Sequence, residues 1–245
     1  KSERGLAIGL YTTSMGVGFA IGPAIGGFVA ANFSYQASFE IAALVALIGL
    51  VLTRVLLIEP VRARETATAA ATPFSVKLKL LARDPNLLAA SLANMLMSEV
   101  FGGVIVNFFP LYAASLGIGD AMIGYMFSLR TFTSAAARLP TGLLTVKFST
   151  RALMLASLSL AMLMAFAISF TTTPAFLMLF LAGEGLAFGM FLTSGQAFVT
   201  EHSSASDRGT AMAVYSTAGS IGATVGPLVL GVIAQVWGLT AVFRF

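Results

Sequence analysis

Three charged residues, Glu99, Arg130 and Glu184, lie inside long apolar segments of the chain. Each is about ten residues from the nearest loop, which at about 1.5 Å per residue places it near the middle of a bilayer. A charge at that depth costs about 2.5 to 3.5 kcal/mol on insertion scales, so it should face a cavity or a partner. A glutamate there can bind a proton reversibly, because desolvation favours the neutral form of a carboxylic acid.

These charges have two interpretations. In the functional one, Glu99 or Glu184 couples proton movement to a substrate, and Arg130 balances charge or holds an anion. In the structural one, Arg130 and one glutamate form an ion pair. A set of polar side chains in the same segments could line a cavity, although each is expected more often to satisfy a neighbouring helix. The set is Asn94, Ser98, Asn107, Tyr112, Tyr125 and Gln196.

The composition predicts an integral membrane protein. Of the 245 residues, 58% are apolar and 10% are charged, and the mean hydropathy is +0.92, values that a water-soluble domain hardly sustains. The absence of cysteine excludes disulfides and thiolate metal sites. His202 lies in a polar loop, where we predict a solvated surface residue. We expect no metal and no cofactor.

Seven segments are long and apolar enough to span a bilayer, which needs about 20 residues per helix. An eighth begins near Ala241. The first residues, Lys1 to Arg4, are typical of the end of a cytoplasmic loop, which suggests a fragment of a longer protein. The seven segments are residues 7–31, 37–58, 87–113, 120–145, 151–170, 175–199 and 209–235.

The loops on one side contain or adjoin nearly all the basic residues of the chain. If the segments alternate in direction, loops 1–6, 59–86, 146–150 and 200–208 share a side, and the positive-inside rule makes that side cytoplasmic. Basic residues scattered along short loops are explained better by membrane topology than by a nucleic-acid binding surface. The residues are Lys1, Arg4, Arg54, Arg62, Arg64, Lys77, Lys79, Arg83, Lys147, Arg151 and Arg208.

The chain also contains a long-period repeat. Residues 2–41 align without a gap with residues 206–245, and 13 of the 40 positions are identical. Both copies carry an Arg-Gly followed by a Gly-rich apolar segment with Gly-Pro, a pattern typical of a membrane helix that can kink. The copies are six segments apart, an even number, so they point the same way across the membrane. This predicts a parallel repeat of six-helix units.

Two parallel six-helix bundles joined by a long cytoplasmic loop resemble the major facilitator superfamily of secondary transporters. The run from Gly18 to Gly27 resembles the antiporter signature, motif C, on the fifth helix of exporters in that family. Its glycines at positions 18, 22 and 26 form one stripe, which predicts a helix interface. Pro23 can kink this helix, which suits a gating role during alternating access, and small-residue packing without gating is the alternative. The eleventh helix carries a weaker copy of this motif. The matching residues are Gly18, Gly22, Pro23, Gly26 and Gly27 in the first copy and Gly222, Gly226, Pro227 and Gly231 in the second.

A second match resembles the family's cytoplasmic loop between the eighth and ninth helices, although Val146 and Ser149 replace the usual Asp and Gly. This departure predicts a weakened charge-relay gate, and the basic residues could instead act as positive-inside anchors. The loop before Arg208 also resembles the start of the eleventh helix. The matching loop residues are Arg138, Gly142, Lys147 and Arg151.

The resemblance implies a truncated all-α bundle with about seven membrane helices. Residues 1–58 would end the N-terminal bundle with its fifth and sixth helices. Residues 59–86 would be the cytoplasmic connection, with an amphipathic helix near 74–83, and residues 87–245 the C-terminal bundle up to the start of the twelfth helix. The helices with Glu99 and Glu184 would be the seventh and tenth, which line the central cavity in this family.

The predicted function is proton-coupled export of a small molecule by a protein in the inner or plasma membrane. We expect lipid, a small-molecule substrate and protons as partners, no nucleic acid, and a monomer when full length. An importer or facilitator of sugars or metabolites is the alternative within the family. A non-transporting scaffold or a membrane enzyme is the alternative outside it, although no phosphate loop, metal cluster or nucleophilic triad is recognisable in the sequence.

Overall fold

The computed structural model describes residues 17–19, 21–56, 83–204 and 207–244, and every element in that part of the chain is helical. Seven helices follow one another, and a short 3-10 turn, Leu239–Phe243, comes after the last. The helices are α1 (Val17–Asn32), α2 (Tyr35–Leu56), α3 (Pro85–Ser115), α4 (Asp120–Leu144), α5 (Thr150–Ile168), α6 (Pro174–Glu201) and α7 (Arg208–Trp237).

The seven helices correspond to the seven predicted segments, which confirms an all-α membrane bundle. Five of them, α2, α3, α5, α6 and α7, are long and apolar enough to cross a bilayer. The least apolar is α4, which carries charged residues along its length and contains Pro140. Residues 7–16 of the first predicted segment and the predicted interfacial helix before Arg83 lie outside the described residues. Where an eighth segment was predicted, the structure has the 3-10 turn.

Helix boundaries follow local sequence. Asp84 caps α3 by accepting a hydrogen bond from the Asn86 backbone N–H at 2.9 Å, with Pro85 in the first turn. Ser149 caps α5 in the same way, at 3.2 Å from the Ala152 nitrogen. These caps satisfy backbone donors that no intrahelical partner can reach.

Contacts near the loops show which helix ends lie on the same side. Tyr112, near the end of α3, donates its hydroxyl to the Thr171 carbonyl between α5 and α6, at 3.1 Å. Arg244, which follows α7, donates to the Ser169 hydroxyl at the end of α5, at 3.3 Å. The ends of α3, α5 and α7 therefore share one side, as the alternation of segments predicts.

The end of α1 lies on that same side. Tyr35, the first residue of α2, donates a hydrogen bond from its hydroxyl to Asp120 Oδ2 at 2.8 Å. Asp120 starts α4, directly after the loop that follows α3. Helices α1 and α7 thus run in the same direction, as expected of the parallel repeat.

The first repeat copy contacts α4 through glycine. A Cβ at Gly27 would lie 2.5 Å from the Asp120 carbonyl oxygen, and one at Gly124 would collide with the Pro23 carbonyl. Two backbones can approach this closely only without side chains between them. The predicted interface stripe is not the contacting face here, because a Cβ at Gly18, Gly22 or Gly26 would meet no described atom within 4 Å.

The second repeat copy packs against α3 in a regular ladder. A Cβ at Gly222 would lie 2.9 Å from the Met95 carbonyl carbon, and one at Gly226 would lie 2.8 Å from Glu99 Cγ. Positions 222 and 226 are one helical turn apart, as are 95 and 99, so the contacts repeat at the helical period. Gly231 is outside the ladder, with its nearest neighbour, Phe108, at 4.0 Å from a Cβ.

Replacing Gly222 with alanine should destabilise the bundle. The added methyl must displace the α3 backbone at Met95, an overpacking that costs about 1 to 3 kcal/mol. Thermal unfolding of the detergent-solubilised protein measures the effect. Gly231→Ala on the same helix is the matched control and should be neutral or slightly stabilising. Equal losses from both substitutions would contradict the ladder.

Candidate functional site

Arg130 of α4 and Glu184 of α6 form a bidentate ion pair inside the bundle. The Arg130 Nε donates to Glu184 Oε2 at 2.5 Å, and Nη2 donates to Oε1 at 3.0 Å. Arg130 is 3% exposed and Glu184 is fully buried. Both hydrogen bonds are charge-assisted and the planar guanidinium matches the carboxylate, an arrangement that satisfies a charge where water is excluded.

Two phenylalanines complete the surroundings of the arginine. The guanidinium carbon lies 4.4 Å from the centre of the Phe101 ring on α3 and 5.2 Å from the Phe188 ring on α6. The two ring centres are 4.5 Å apart. Cation–π contacts of this kind contribute about 0.5 to 2 kcal/mol each, the larger values when desolvated. Through Arg130, the pair therefore connects α3, α4 and α6.

A close approach of α4 and α6 brings the two charges within reach. A Cβ at Gly185 would lie 2.6 Å from Thr133 Oγ1 and 2.9 Å from the Arg130 carbonyl carbon. The Thr133 hydroxyl also donates to the Ala182 carbonyl at 2.8 Å. Gly185, next to Glu184, thus removes the side chain that would hold the helices apart.

Glu99 lies on a different face of α3. Its side chain is partly buried, and its Cγ packs against Gly226 and Gly103. The carboxylate lines a cavity of about 520 Å³ between α3, α5, α7 and the C-terminal turn. Apart from Ser159 and Arg244 the other lining residues are apolar. Within the described part of the chain, no hydrogen bond or ion pair joins Glu99 to another residue.

The structure therefore separates the three predicted charges into a pair and a single acid. The structural interpretation is right that Arg130 pairs with one glutamate, and that partner is Glu184. A role in proton coupling stays a prediction for Glu99 and Glu184. Sequence reasoning missed Phe101 and Phe188, because a ring that stacks on a charge from another helix leaves no signature in the spacing of its own helix.

Several of the polar side chains satisfy backbone groups, as expected for polar residues in membrane helices. The Asn94 amide donates to the Tyr215 carbonyl at 2.8 Å, which ties α3 to α7. The Asn107 amide donates to the Gly102 carbonyl of its own helix. Tyr125 and Gln196 are exposed on the described bundle.

The basic residues of the predicted cytoplasmic motif gather at the opposite helix ends from Tyr112. Arg138 is partly buried on α4 and Lys147 is exposed in the turn after it. Arg151, in the first turn of α5, lines a second cavity of about 330 Å³ with Asn86 and Phe198. Val146, which replaces the usual Asp, is 85% exposed. The remaining motif positions are Gly142, near the end of α4, and Arg208, the first residue of α7.

His202 is exposed at the end of α6, as predicted, with its ring stacked on Phe198 at 4.0 Å between centres. Among the described residues no group of three His, Cys, Asp or Glu side chains could hold a metal ion.

A family model described as Major Facilitator Superfamily matches residues 1–119 and 94–245, which together cover the chain. The chain belongs to this superfamily. The predicted family is thereby confirmed, and with it a multi-pass membrane protein that belongs to a family of transporters, not of enzymes.

Curated relatives are similar over nearly the whole chain. A multidrug resistance protein MdtG from Dickeya zeae is 25% identical over 250 residues, which cover 99% of this chain and 60% of the relative. Proteins of the same name from Escherichia fergusonii and Klebsiella pneumoniae are each 24% identical over the same share of this chain. The chain thus spans about three fifths of the length of these relatives.

Neutralising one member of the buried pair should destabilise this superfamily member strongly. In Glu184→Gln the Arg130 charge remains buried without its counter-ion, which costs about 3 to 5 kcal/mol. The double variant Arg130→Met, Glu184→Leu should recover much of that loss, because no charge is left unpaired. Thermal unfolding of the three proteins measures this. A double variant that is no more stable than Glu184→Gln would contradict the argument.

Proposed function

We propose that the complete protein exports a small organic compound in exchange for protons. Three observations support this. The chain belongs to a transporter superfamily, the α1 glycines resemble the antiporter signature of its exporters, and the relatives carry the name multidrug resistance protein. Location in the bacterial inner membrane is part of the proposal, in keeping with those bacterial relatives.

Glu99 is the acid that we propose to bind the coupling proton, and its lack of a partner is the observation that carries the proposal. Its side chain lines a largely apolar cavity, and no hydrogen bond or ion pair joins it to another described residue. The cavity wall also contains the polar residues Ser159 and Arg244, which can stabilise the charged carboxylate of Glu99. Both protonation states therefore have a place in the site.

Glu184 is less suited to reversible protonation while its pair is intact. Protonation would leave Arg130 as an unpaired charge in a site that is nearly inaccessible to water. Within the proposed mechanism Arg130 and Glu184 therefore hold α3, α4 and α6 in register. A coupling role for Glu184 would require the pair to open during transport.

Glu99→Gln should abolish transport driven by a proton gradient and spare substrate exchange without a gradient. Glutamine preserves the volume but cannot titrate, and substrate binding need not involve the proton. Transport by the complete protein in proteoliposomes, with and without an imposed pH gradient, measures both activities. Glu184→Gln should retain gradient-driven transport in whatever fraction of the protein stays folded.

Glu40→Gln serves as a control, since Glu40 is an exposed acid on α2 that accepts a hydrogen bond from Gln36 at 3.0 Å. It should transport as the wild type does. Wild-type coupling in the double variant of Glu99 and Glu184 would rule out a proton site at either residue. Uptake along the gradient, instead of export against it, would favour the importer alternative.

We further propose that residues 1–58 belong to the N-terminal bundle, 59–86 to a cytoplasmic connection, and 87–245 to the C-terminal bundle. The one-sided distribution of basic residues supports the orientation. The glycine contact between α1 and α4 would then be a contact between bundles.

Cysteine labelling tests this topology on a chain that has no natural cysteine. Cysteines at residues 66 and 204 should react with a membrane-impermeant reagent only in inverted vesicles, because both positions belong to segments that the distribution of basic residues predicts to be cytoplasmic. A cysteine at Thr172, between α5 and α6, should react in intact cells and is the matched control. Labelling of position 204 from outside would refute the orientation.

A further inference from the structure

The middle of α3 is a π-helix. It runs from Glu99 to Phe108, between α-helical parts that end at Ser98 and begin again at Phe109. A π-helix closes its hydrogen bonds between residues five apart, and it usually occurs as a single turn near a functional site. A stretch of 10 residues is long for this rare geometry.

This π segment, Glu99–Phe108, contacts the site on two sides. Its first residue is the unpaired acid, and Phe101 stacks on Arg130. On the α7 side, a Cβ at Gly102 would lie 3.0 Å from the Ala223 Cβ, and one at Gly103 would lie 3.0 Å from Leu230 Cδ1. The wide helix therefore fits against α7 through its glycines.

Asn107 reinforces the π geometry. Its side-chain amide donates to the carbonyl of Gly102, five residues earlier. Five residues is also the offset of the backbone hydrogen bond in a π-helix. In an α-helix the backbone N–H of residue 107 would instead bond to the carbonyl of residue 103. This contact favours the π register over the α register.

A slip from the π to the α register would move the two ends of α3 relative to each other. Each residue of an α-helix advances the chain by about 100° and about 1.5 Å, since there are about 3.6 residues per turn. The rise per residue falls as the hydrogen-bonded ring widens, so the α form of the same segment is longer. One slipped residue therefore rotates and displaces the part that bears Glu99.

We propose that the π segment is the joint through which proton binding at Glu99 reorients α3, with Asn107 as the positioning residue that holds the π register while Glu99 is charged. The charged carboxylate stays in its cavity with Ser159 and Arg244. Arg244 is the one other charged side chain that lines this cavity in the described part of the chain, and α5 and α7 contribute none.

A proton from water that adds to a Glu99 carboxylate oxygen removes the charge. The neutral side chain can then turn into the packed interface with α7, where a charge could not go. The Asn107 hydrogen bond to Gly102 breaks as the register slips, and it forms again when the proton leaves. This inference rests on the proposed function only in taking Glu99 as the proton site.

Spin labels at positions 92 and 111 would measure the joint in the complete protein. Leu92 and Leu111 are each 55% exposed and flank the π segment. The sequence has no natural cysteine, so the labels attach to cysteines introduced at these two positions. As the pH falls, the population with the longer distance should grow. Glu99→Gln should show the longer distance at every pH.

Asn107→Leu, which has no amide donor, should shift the ratio of the two populations toward the longer distance by about five- to tenfold, the effect of one lost hydrogen bond. Asn107→Gln keeps the donor and should restore the ratio of the two populations seen in the wild type. Val106→Ala is the matched control within the segment, since the Val106 side chain is exposed. It should leave both populations unchanged.

A distance that does not depend on pH, in a protein whose gradient-driven transport is lost in Glu99→Gln, would overturn the joint and leave the proposed function standing. A pH response that persists in Glu99→Gln would also overturn it. A shift of the ratio in Asn107→Leu that Asn107→Gln does not reverse would show that the amide donor is not what holds the register, and would overturn the role of Asn107.

Discussion

The buried pair of Arg130 and Glu184 constrains how the helices of this bundle pack. Neither charge is acceptable alone near the middle of a bilayer, so the helices that bear them must meet there. The bidentate geometry leaves little freedom in the distance between α4 and α6, and Phe101 brings α3 to the same point. Such a pair contributes more to the uniqueness of the packing than to its net stability, because desolvation offsets much of the attraction.

Small residues make these close contacts possible. Without a hydrophobic force between helices in lipid, association depends on close van der Waals packing and on hydrogen bonds. Gly185 allows α6 to approach α4, and Gly222 and Gly226 allow α7 to approach α3. The glycine echo of the antiporter signature on α7 therefore has a packing role within its own bundle. On α1 the corresponding motif makes its close contact through Gly27 to α4.

The number of helices and their order could be predicted from the sequence, because the bilayer fixes the length of an apolar segment. The predicted segment 151–170 became α5, Thr150–Ile168, and a cap at Ser149 explains where it starts. The depth of Glu99 and Glu184 in the bilayer stays a prediction made for the same reason. The partners of these acids could not be predicted, since the direction of a side chain around its helix identifies a partner only once the neighbouring helix is known. The π segment also left no signal, because apolar residues with two glycines suit either register.

Glu99 and Glu184 are alike in residue type and in predicted depth, and they differ only in what surrounds them. Glu184 is held in an ion pair with Arg130, whereas Glu99 lines a cavity and has no hydrogen-bond or ion-pair partner among the described residues. An acid that titrates can drive movement only if its two charge states favour different packings. The π-helix that begins at Glu99 supplies an element with two possible registers at that position. The paired acid lies instead where three helices are fixed together, which suits a part of the bundle that stays rigid while another part moves.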